Sequence, residues 1–155
     1  MKILIAAVAA AFSIAVAQTP GVTSKLTFAN HAAKRGQVVS GSVVMTVPAG
    51  YHAYAPSDKG DTFKVEISPV EKATFKVVEV KYPAGTMADL QGEQHSVYRG
   101  VVTIPVKIKI PANAKPKSKY TVKLELQSQI CADESGMCLR PTTDTLTQIF
   151  TIKAK

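Results

Sequence analysis

Apolar and polar residues alternate along several segments of this chain, and this alternation limits the possible folds more than any other feature. In the segment 102–110, apolar residues such as Val102, Ile104 and Val106 occupy every second position. The segments 62–67 and 120–126 alternate in the same way. Such a period of two is typical of half-buried β-strands. Less regular runs predict further strands at 22–28, 38–47, 75–80 and 146–152.

No segment after residue 17 has a helical period, so the chain is predicted to be all-β. Turn residues separate the strands at 48–50, 56–60, 83–85 and 111–118. Seven to nine short strands at this spacing predict an immunoglobulin-like two-sheet sandwich, with a closed barrel as the alternative. Pro105 lies inside a predicted strand, which we therefore expect to run at a sheet edge or to carry a bulge.

The first 17 residues have the pattern of a secretory signal. Lys2 is followed by a run from Ile3 to Val16 that is apolar apart from Ser13, and Ala15-Val16-Ala17 matches a small-x-small cleavage site. The run is short for a membrane span, which needs about 20 residues. We expect a signal peptide at 1–17, a single domain at 18–155, export to the periplasm and no membrane span in the mature chain.

The formal net charge of +8 does not indicate a nucleic-acid partner. Lysines such as Lys107, Lys109 and Lys123 alternate with apolar residues, which is the pattern of a solvated strand face. The chain has no basic helix and no interleaving of basic and aromatic residues. Motifs of hydrolases and of phosphate-binding loops are also absent from the sequence.

Cys131 and Cys138 are the two cysteines of the chain, and in an exported protein we expect them to be paired. Six residues separate them, including Gly136, so the segment is predicted to be a hairpin or loop with bridged arms. Cysteines this close cannot form the inter-sheet disulfide of antibody-type domains. A bridge around a loop of about eight residues stabilises by about 2.5 kcal/mol at best. The bridge therefore either pins one hairpin or performs redox chemistry.

The charges next to the cysteines predict different reactivities for the two thiols. Asp133 and Glu134 lie close to Cys131 and disfavour a thiolate there, whereas Arg140 lies two residues beyond Cys138 and favours one. We therefore expect Cys138 to be the better attacking thiol.

Two further features leave alternatives open. The polar segment from Tyr82 to Ser96 is predicted to be a long loop, either functional or simply mobile. The scattered histidines and methionines allow a copper carrier, but none has a recognisable ligand spacing, and Met45 is expected in the core. The soft-ligand candidates are His31, His52, His95, Met45, Met87 and Met137.

Several short motifs lie at Ala49 to Tyr54, Tyr82 to Gly85, Val97 to Gly100, Cys131 to Asp133 and Cys138 to Pro141. In sequence and in order, these motifs resemble those of the N-terminal domain of DsbD, the bacterial thiol:disulfide interchange protein. Together they extend across nearly the whole mature chain. The resemblance implies an immunoglobulin-like sandwich in a stand-alone form of the domain.

The resemblance also implies a function and a set of site residues. Cys131 and Cys138 would form the active disulfide, with Cys138 making the mixed disulfide with partners. A cap loop would cover the sulfurs, and two tyrosines would lie beside them. The cap and site-lining residues would be Tyr51, Tyr54, Asp89, Leu90, Gln91 and Gly92.

By the same resemblance, the protein would be a thiol:disulfide oxidoreductase-type electron carrier that needs no cofactor beyond its sulfurs. It would take electrons from a membrane electron donor and pass them to thioredoxin-like periplasmic proteins, including disulfide isomerases and factors of cytochrome c biogenesis. We expect a monomer. The alternatives are an exported structural or protein-binding sandwich with a purely structural disulfide, and a periplasmic metal carrier.

Two departures from the family pattern accompany the resemblance. The gap between the cysteines is one residue longer than is usual in the family. An aromatic cap residue is expected where this chain has Leu90 or Gln91, so we expect weaker shielding of the sulfurs.

Overall fold

The computed structural model describes residues 19–154, which contain twelve β-strands and no helix. The predicted signal peptide at 1–17 lies outside these residues. The strands are β1 (Thr23–Phe28), β2 (Ala32–Ala33), β3 (Val38–Val47), β4 (Tyr51–Tyr54), β5 (Glu66–Pro69), β6 (Lys76–Val80), β7 (Thr86–Leu90), β8 (Glu93–Tyr98), β9 (Gly100–Lys109), β10 (Lys119–Ser128), β11 (Cys131–Ala132) and β12 (Thr142–Ile152). In this part of the chain, no helix is long and apolar enough to cross a bilayer.

Two four-stranded sheets form the sandwich. One has the strand order β1-β3-β9-β6, and the other has the order β2-β12-β10-β5. Their inner faces share one hydrophobic core, in which Phe28 of β1 meets Phe150 of β12 edge-to-face, with ring centroids 5.0 Å apart. The predicted all-β, immunoglobulin-like sandwich is confirmed, and the barrel alternative is wrong because both sheets have open edges.

The alternation in the sequence becomes an alternation of burial. Along β9, Val102, Ile104, Val106 and Ile108 are buried while the residues between them are exposed. Burying one such aliphatic side chain is worth about 1.5–3 kcal/mol, so the inward rows of the long strands hold the two sheets together.

Pro105 lies on an interior strand, so the prediction of an edge strand is wrong. β9 pairs with β3 along its whole length and with β6 on the other side. The Pro105 carbonyl accepts a hydrogen bond from Lys81 N–H, one residue beyond the end of β6. The amide and carbonyl of one residue in an antiparallel strand point to the same neighbour, so the missing proline N–H faces the point where β6 ends. The bulge of this ladder lies on the partner strand β6, between Val77 and Glu79, and not on the strand that contains Pro105, where it was expected.

A third four-stranded sheet, here called the site sheet, has the order β11-β4-β8-β7 and was not predicted. β4 follows β3 after a turn at Gly50, and only Arg99 separates the end of β8 from the start of β9. The site sheet is therefore tied to the sandwich through strands that continue directly into it.

The polar segment from Tyr82 to Ser96 is not the irregular loop that we expected. Strands β7 and β8 pair in register from Thr86↔Val97 to Leu90↔Glu93, which we call the cap hairpin. Its two turn residues, Gln91 and Gly92, have φ of 57° and 88°, as a tight primed turn requires. These strands were not predicted, because most of their side chains are exposed or half-buried and their sequences show no alternation of apolar and polar residues.

Candidate functional site

The two cysteines close a short hairpin at the edge of the site sheet, here called the cysteine hairpin (residues 131–138). Cys131 and Cys138 form an antiparallel bridge and a disulfide, with their Cα atoms 3.8 Å apart. Hydrogen bonds from Leu139 N–H to the Ile130 carbonyl and from Ala132 N–H to the Met137 carbonyl, each 2.9 Å, flank the pair. The cysteines therefore occupy a non-hydrogen-bonded position, where opposite residues approach most closely. The bridged hairpin matches the sequence prediction.

The two sulfur-bearing residues differ sharply in exposure. Cys131 is completely buried, whereas Cys138 is exposed and follows the exposed Met137. Cys138 is therefore the solvent-facing residue of the bridge, and Cys131 is the buried one.

His52 lies in the same row of the sheet as the two cysteines. In the pairing of β4 with β11, His52 is directly opposite Cys131, and Cys131 is in turn opposite Cys138. Directly opposite residues of antiparallel strands project from the same face, with Cβ atoms about 4.5–5.5 Å apart. The three side chains therefore stand side by side across three adjacent segments.

Asp133 joins this row through hydrogen bonds. Its Oδ1 atom lies 2.8 Å from His52 Nδ1 and accepts a hydrogen bond of 2.8 Å from Arg99 Nη2. The Arg99 hydrogen bond, followed by that of His52, outweighs burial and holds the pKa of the Asp133 carboxyl below its ordinary value. Asp133 is therefore ionised at neutral pH, and His52 Nδ1 is assigned as the donor.

This assignment leaves the other ring nitrogen, His52 Nε2, as an acceptor when the ring is neutral. Nε2 is buried and has no hydrogen-bond partner among residues 19–154. A buried acceptor without a partner costs about 1–3 kcal/mol, so Nε2 is open to a hydrogen-bond donor from a neighbouring group.

The contacts of Asp133 change the expected effect of neighbouring charges on the two thiols. The sequence placed two bare carboxylates beside Cys131, but Asp133 is paired with Arg99, while Glu134 is exposed. The carboxylate charge nearest to Cys131 in sequence is thus compensated by a residue that is distant in sequence. The prediction that Cys138 has the lower thiol pKa remains a prediction.

The tip of the cap hairpin touches the turn of the cysteine hairpin. A Cβ atom at Gly136 would collide with the Gln91 side chain, and Gly136 also has a φ of 68°, which favours glycine. Asp89 Oδ1 accepts a hydrogen bond of 3.0 Å from Gly92 N–H and so holds the tip in place. The expected cap residues are therefore brought to the cysteine hairpin, with Leu90 half-buried among them.

A cavity of about 400 Å³ lies between the two hairpins. Its walls carry two histidines, one tyrosine and four carboxylates. The lining residues are His52, Tyr54, Asp89, Leu90, Gln91, Glu93, His95, Asp133, Glu134 and Gly136. Tyr54 lies between the two imidazoles, with its ring centroid 5.2 Å from each. Burial, and then the nearby Asp58 charge, raises the pKa of Tyr54, which keeps its hydroxyl protonated.

A buried carboxylate anchors the base of the cap hairpin. Asp58 accepts hydrogen bonds from Ser96 N–H (2.9 Å) and Thr62 Oγ1 (2.8 Å), and lies 3.2 Å from His95 Nδ1. Burial alone would raise the pKa of Asp58, but these hydrogen bonds, led by that of Ser96, hold it below its ordinary value. Asp58 therefore ties β8 to the segment after β4.

The structure brings most of the predicted site residues together, but not all of them. Tyr51 is paired with Ala132, on the face of β4 opposite to His52, and packs against the hydrophobic core. Met45 is completely buried in the core, as expected. Among residues 19–154, no three His, Cys, Asp or Glu side chains are grouped as a metal site would need.

Sequence reasoning missed the polar network that surrounds the disulfide. His52 was considered only as a metal ligand, Asp133 only as a local charge, and Arg99 only as part of a motif. The one available signal was the spacing of Cys131 and Asp133, which lie two apart and so share a strand face. Asp58 and His95 gave no signal of their own.

Comparisons with known proteins identify the family of this chain. The family described as "Thiol:disulfide interchange protein DsbD, N-terminal" matches residues 18–149. A search of curated proteins found no match. The chain is similar in fold to the N-terminal periplasmic domain of ScsB from Proteus mirabilis, with a TM-score of 0.59 and 16% identity. That likeness covers 82% of this chain and 45% of the ScsB chain, so this chain spans under half of that protein's length.

A second similar structure is that of the complex between the DsbD N-terminal and the PilB N-terminal domains from Neisseria meningitidis. Its TM-score is 0.48 at 18% identity, covering 80% of this chain and 79% of that chain. Since the family match extends over most of the sequence, the chain belongs to the DsbD N-terminal family.

Proposed function

From its place in the DsbD N-terminal family, we propose that this protein is a periplasmic thiol:disulfide interchange domain that relays electrons through a reversible Cys131–Cys138 disulfide. The observation that carries the proposal is the asymmetry of the bridge, with Cys138 exposed and Cys131 fully buried. One sulfur is open to partner proteins, and the other is kept for the internal step.

The proposed cycle has two halves, each with one mixed disulfide. A thiolate of the electron donor attacks Cys138 Sγ, and the electron pair of the broken bridge goes to Cys131 Sγ. A second donor thiolate then attacks the donor's own sulfur in the mixed disulfide, which leaves both cysteines reduced and the donor oxidised. In the second half, the Cys138 thiolate attacks a disulfide of the substrate. Cys131 attacks Cys138 Sγ, so the bridge forms again and the substrate leaves as a dithiol with two electrons gained.

The cap hairpin is proposed to limit which partners reach the bridge. Gln91 rests against Gly136, two residues before Cys138, and Asp89 holds the turn in its tight form. By the family resemblance, an aromatic cap residue would be expected where this chain has Leu90 or Gln91. We therefore expect the covering of the sulfurs to be looser than an aromatic cap would give.

Partners, location and domain organisation complete the proposal. The electron donor would be a membrane protein, and the acceptors would be thioredoxin-like periplasmic proteins. Residues 1–17 would direct export, and residues 18–155 would act as one monomeric domain. The ScsB domain to which this fold is similar is described as periplasmic, which supports the proposed compartment.

The test is a redox equilibrium of the mature domain against glutathione. An exchange protein should lie at roughly −270 to −120 mV, whereas a structural bridge lies below about −300 mV. A potential in the lower range would favour a purely structural disulfide and overturn the proposal.

Partner capture supplies a second test. The Cys131→Ser variant keeps Cys138 but lacks the resolving sulfur, so it should accumulate mixed disulfides with periplasmic partners. The matched Cys138→Ser variant keeps only the buried sulfur and should trap none. Equal trapping by the two variants would contradict the assignment of Cys138 as the contact cysteine.

A further inference from the structure

A buried histidine stands directly beside the buried half of the disulfide. His52 is opposite Cys131 in the register of β4 and β11, and both are shielded from solvent. We propose that His52 Nε2 is the proton acceptor for the Cys131 thiol during interchange, and the proton carrier that stabilises the Cys131 thiolate when the bridge opens. This inference rests on the proposed interchange function.

The orientation of the ring follows from Asp133. The Asp133 carboxylate lies 2.8 Å from Nδ1 and is itself held by Arg99, so the proton of the neutral ring is placed on Nδ1. The free lone pair is then on Nε2. A carboxylate that orients an imidazole, with the far nitrogen acting as base toward a neighbouring nucleophile, is the general arrangement of a nucleophile–base–orienter triad.

The oxidised bridge cannot satisfy Nε2, because a disulfide has no hydrogen to donate. Nε2 is the one buried side-chain nitrogen or oxygen atom without a partner in the described part of the chain. Reduction converts Cys131 into a thiol, which is a donor, in the residue directly opposite the ring. His52 Nε2, which lacks a donor in the oxidised state, can thus accept a hydrogen bond from the Cys131 thiol that reduction produces.

Other titratable or charged groups around the ring do not offer an equivalent base. These groups come from every element that packs against the cavity. The cysteine hairpin contributes Asp133 and Glu134, β4 contributes Tyr54, and Asp58 follows β4. The cap hairpin contributes Asp89 of β7 and Glu93 and His95 of β8, and Arg99 follows β8. Asp133 is bound to Arg99, and His95 is bound to Asp58. Asp89, Glu93 and Glu134 are exposed to solvent, so none of them replaces a buried base beside Cys131.

In the electron-donating half of the cycle, proton transfer precedes the formation of the disulfide. The Cys131 thiol gives its proton to His52 Nε2, and the resulting thiolate attacks Cys138 Sγ of the mixed disulfide. The Cys131–Cys138 bond forms, the bond to the substrate sulfur breaks, and that sulfur leaves with the electron pair. The imidazolium then releases its proton, which the departing thiolate takes up directly or through solvent. In the reverse half, protonated His52 stabilises the thiolate that Cys131 becomes.

The experiment measures the pKa of the Cys131 thiol in the Cys138→Ser variant by ultraviolet thiolate absorbance. His52→Asn in that background retains an amide near Nδ1 for Asp133 but removes Nε2. We expect the Cys131 pKa to rise by about one unit, which means about a tenfold smaller thiolate fraction near neutral pH. His95→Asn is the matched control, because His95 is also buried and bound to an aspartate but is not opposite a cysteine. It should leave the Cys131 pKa unchanged.

An unchanged Cys131 pKa in a folded His52→Asn variant would overturn the inference. If that variant does not fold, the His52 ring resonances of the reduced wild-type domain decide instead. In the reduced domain, the chemical shifts of the His52 ring should change as the Cys131 thiol ionises, and in the oxidised domain this change should be absent. If the His52 shifts do not respond to Cys131 ionisation, the inference is overturned. The glutathione equilibrium of the wild-type domain is measured in parallel. A reduction potential in the range of structural bridges would contradict the interchange function, whereas the pKa comparison tests only the role of His52.

Discussion

The sandwich and the site sheet bury very different side chains. In the sandwich, long strands such as β9 and β10 insert aliphatic rows between two sheets. In the site sheet, the buried residues include the polar side chains of His52, His95 and Ser96. The buried Asp58 anchors the cap hairpin. Hydrogen bonds and ion pairs connect the elements of this region. The sandwich is therefore expected to carry the free energy of folding, and the site sheet to carry the chemistry and the local mobility.

The largest effect should come from breaking the sandwich. Ile104→Ala removes a completely buried side chain from β9, and we expect it to lower the free energy of unfolding by about 2–5 kcal/mol. Val101→Ala on the same strand, where the side chain is 70% exposed, is the control and should have little effect. Denaturant unfolding measures both. A similar loss in the two variants would show that β9 does not divide into a core face and a solvent face.

A smaller and more local effect is expected from Asp58→Asn. The amide cannot accept all the hydrogen bonds that Asp58 accepts from Ser96, Thr62 and His95, and the loss should be about 1–3 kcal/mol. Hydrogen exchange should accelerate most in β7 and β8, since Asp58 ties this hairpin down. Asp61→Asn, at an exposed neighbouring position, is the control. Uniform acceleration over both sandwich sheets would contradict the separation of the two regions.

Gly136→Ala should separate the cap hairpin from the cysteine hairpin. Its positive φ alone costs about 1 kcal/mol, and the new methyl group also collides with Gln91. Gly92→Ala is the matched control, because Gly92 has a positive φ of 88° but open space around it. We expect Gly136→Ala to speed reduction of the disulfide by a small dithiol, and Gln91→Ala to abolish the difference. Equal reduction rates in the two glycine variants would show that Gln91 does not cover the bridge.

The smallest effect should be the pH dependence of the site sheet. The hydrogen bond of Arg99 lowers the pKa of Asp133. Burial raises the pKa of Asp58, but the hydrogen bonds from Ser96, Thr62 and His95 together outweigh it and lower that pKa. A carboxyl whose pKa is lower in the folded state stabilises the fold above its unfolded value of about 3.9, and this stabilisation is lost as the pH falls through the folded pKa. The thermal midpoint should therefore decrease below about pH 4. An Asp58→Asn, Asp133→Asn double variant should decrease less over the same range.

The two regions also differ in how well the sequence predicted them. Strand β3 was predicted with its observed ends, and the strands at 102–110 and 120–126 were placed within a few residues. The cap hairpin was missed, because its side chains are mainly polar and give no alternation. The interior position of Pro105 was also missed, since it depends on where the neighbouring strand β6 ends.

Within the site, the local features were predictable and the long-range ones were not. The bridged hairpin follows from two cysteines seven positions apart and a glycine between them. The cap residues Asp89 to Gly92 were inferred by resemblance and lie against that hairpin. No sequence pattern indicated that Arg99 and His52 would both meet Asp133, 34 and 81 positions away.

By itself, the sequence determined the β architecture, the pairing of the two cysteines in a local hairpin, and the residues that face the core. These properties depend on neighbours in the chain, where strand periodicity and turn geometry act over a few residues. Only the tertiary structure decided which cysteine is buried, which histidine stands beside it and which charge is compensated. Those contacts arise from strand order and register, which juxtapose residues far apart in sequence and change their protonation through burial and hydrogen bonding.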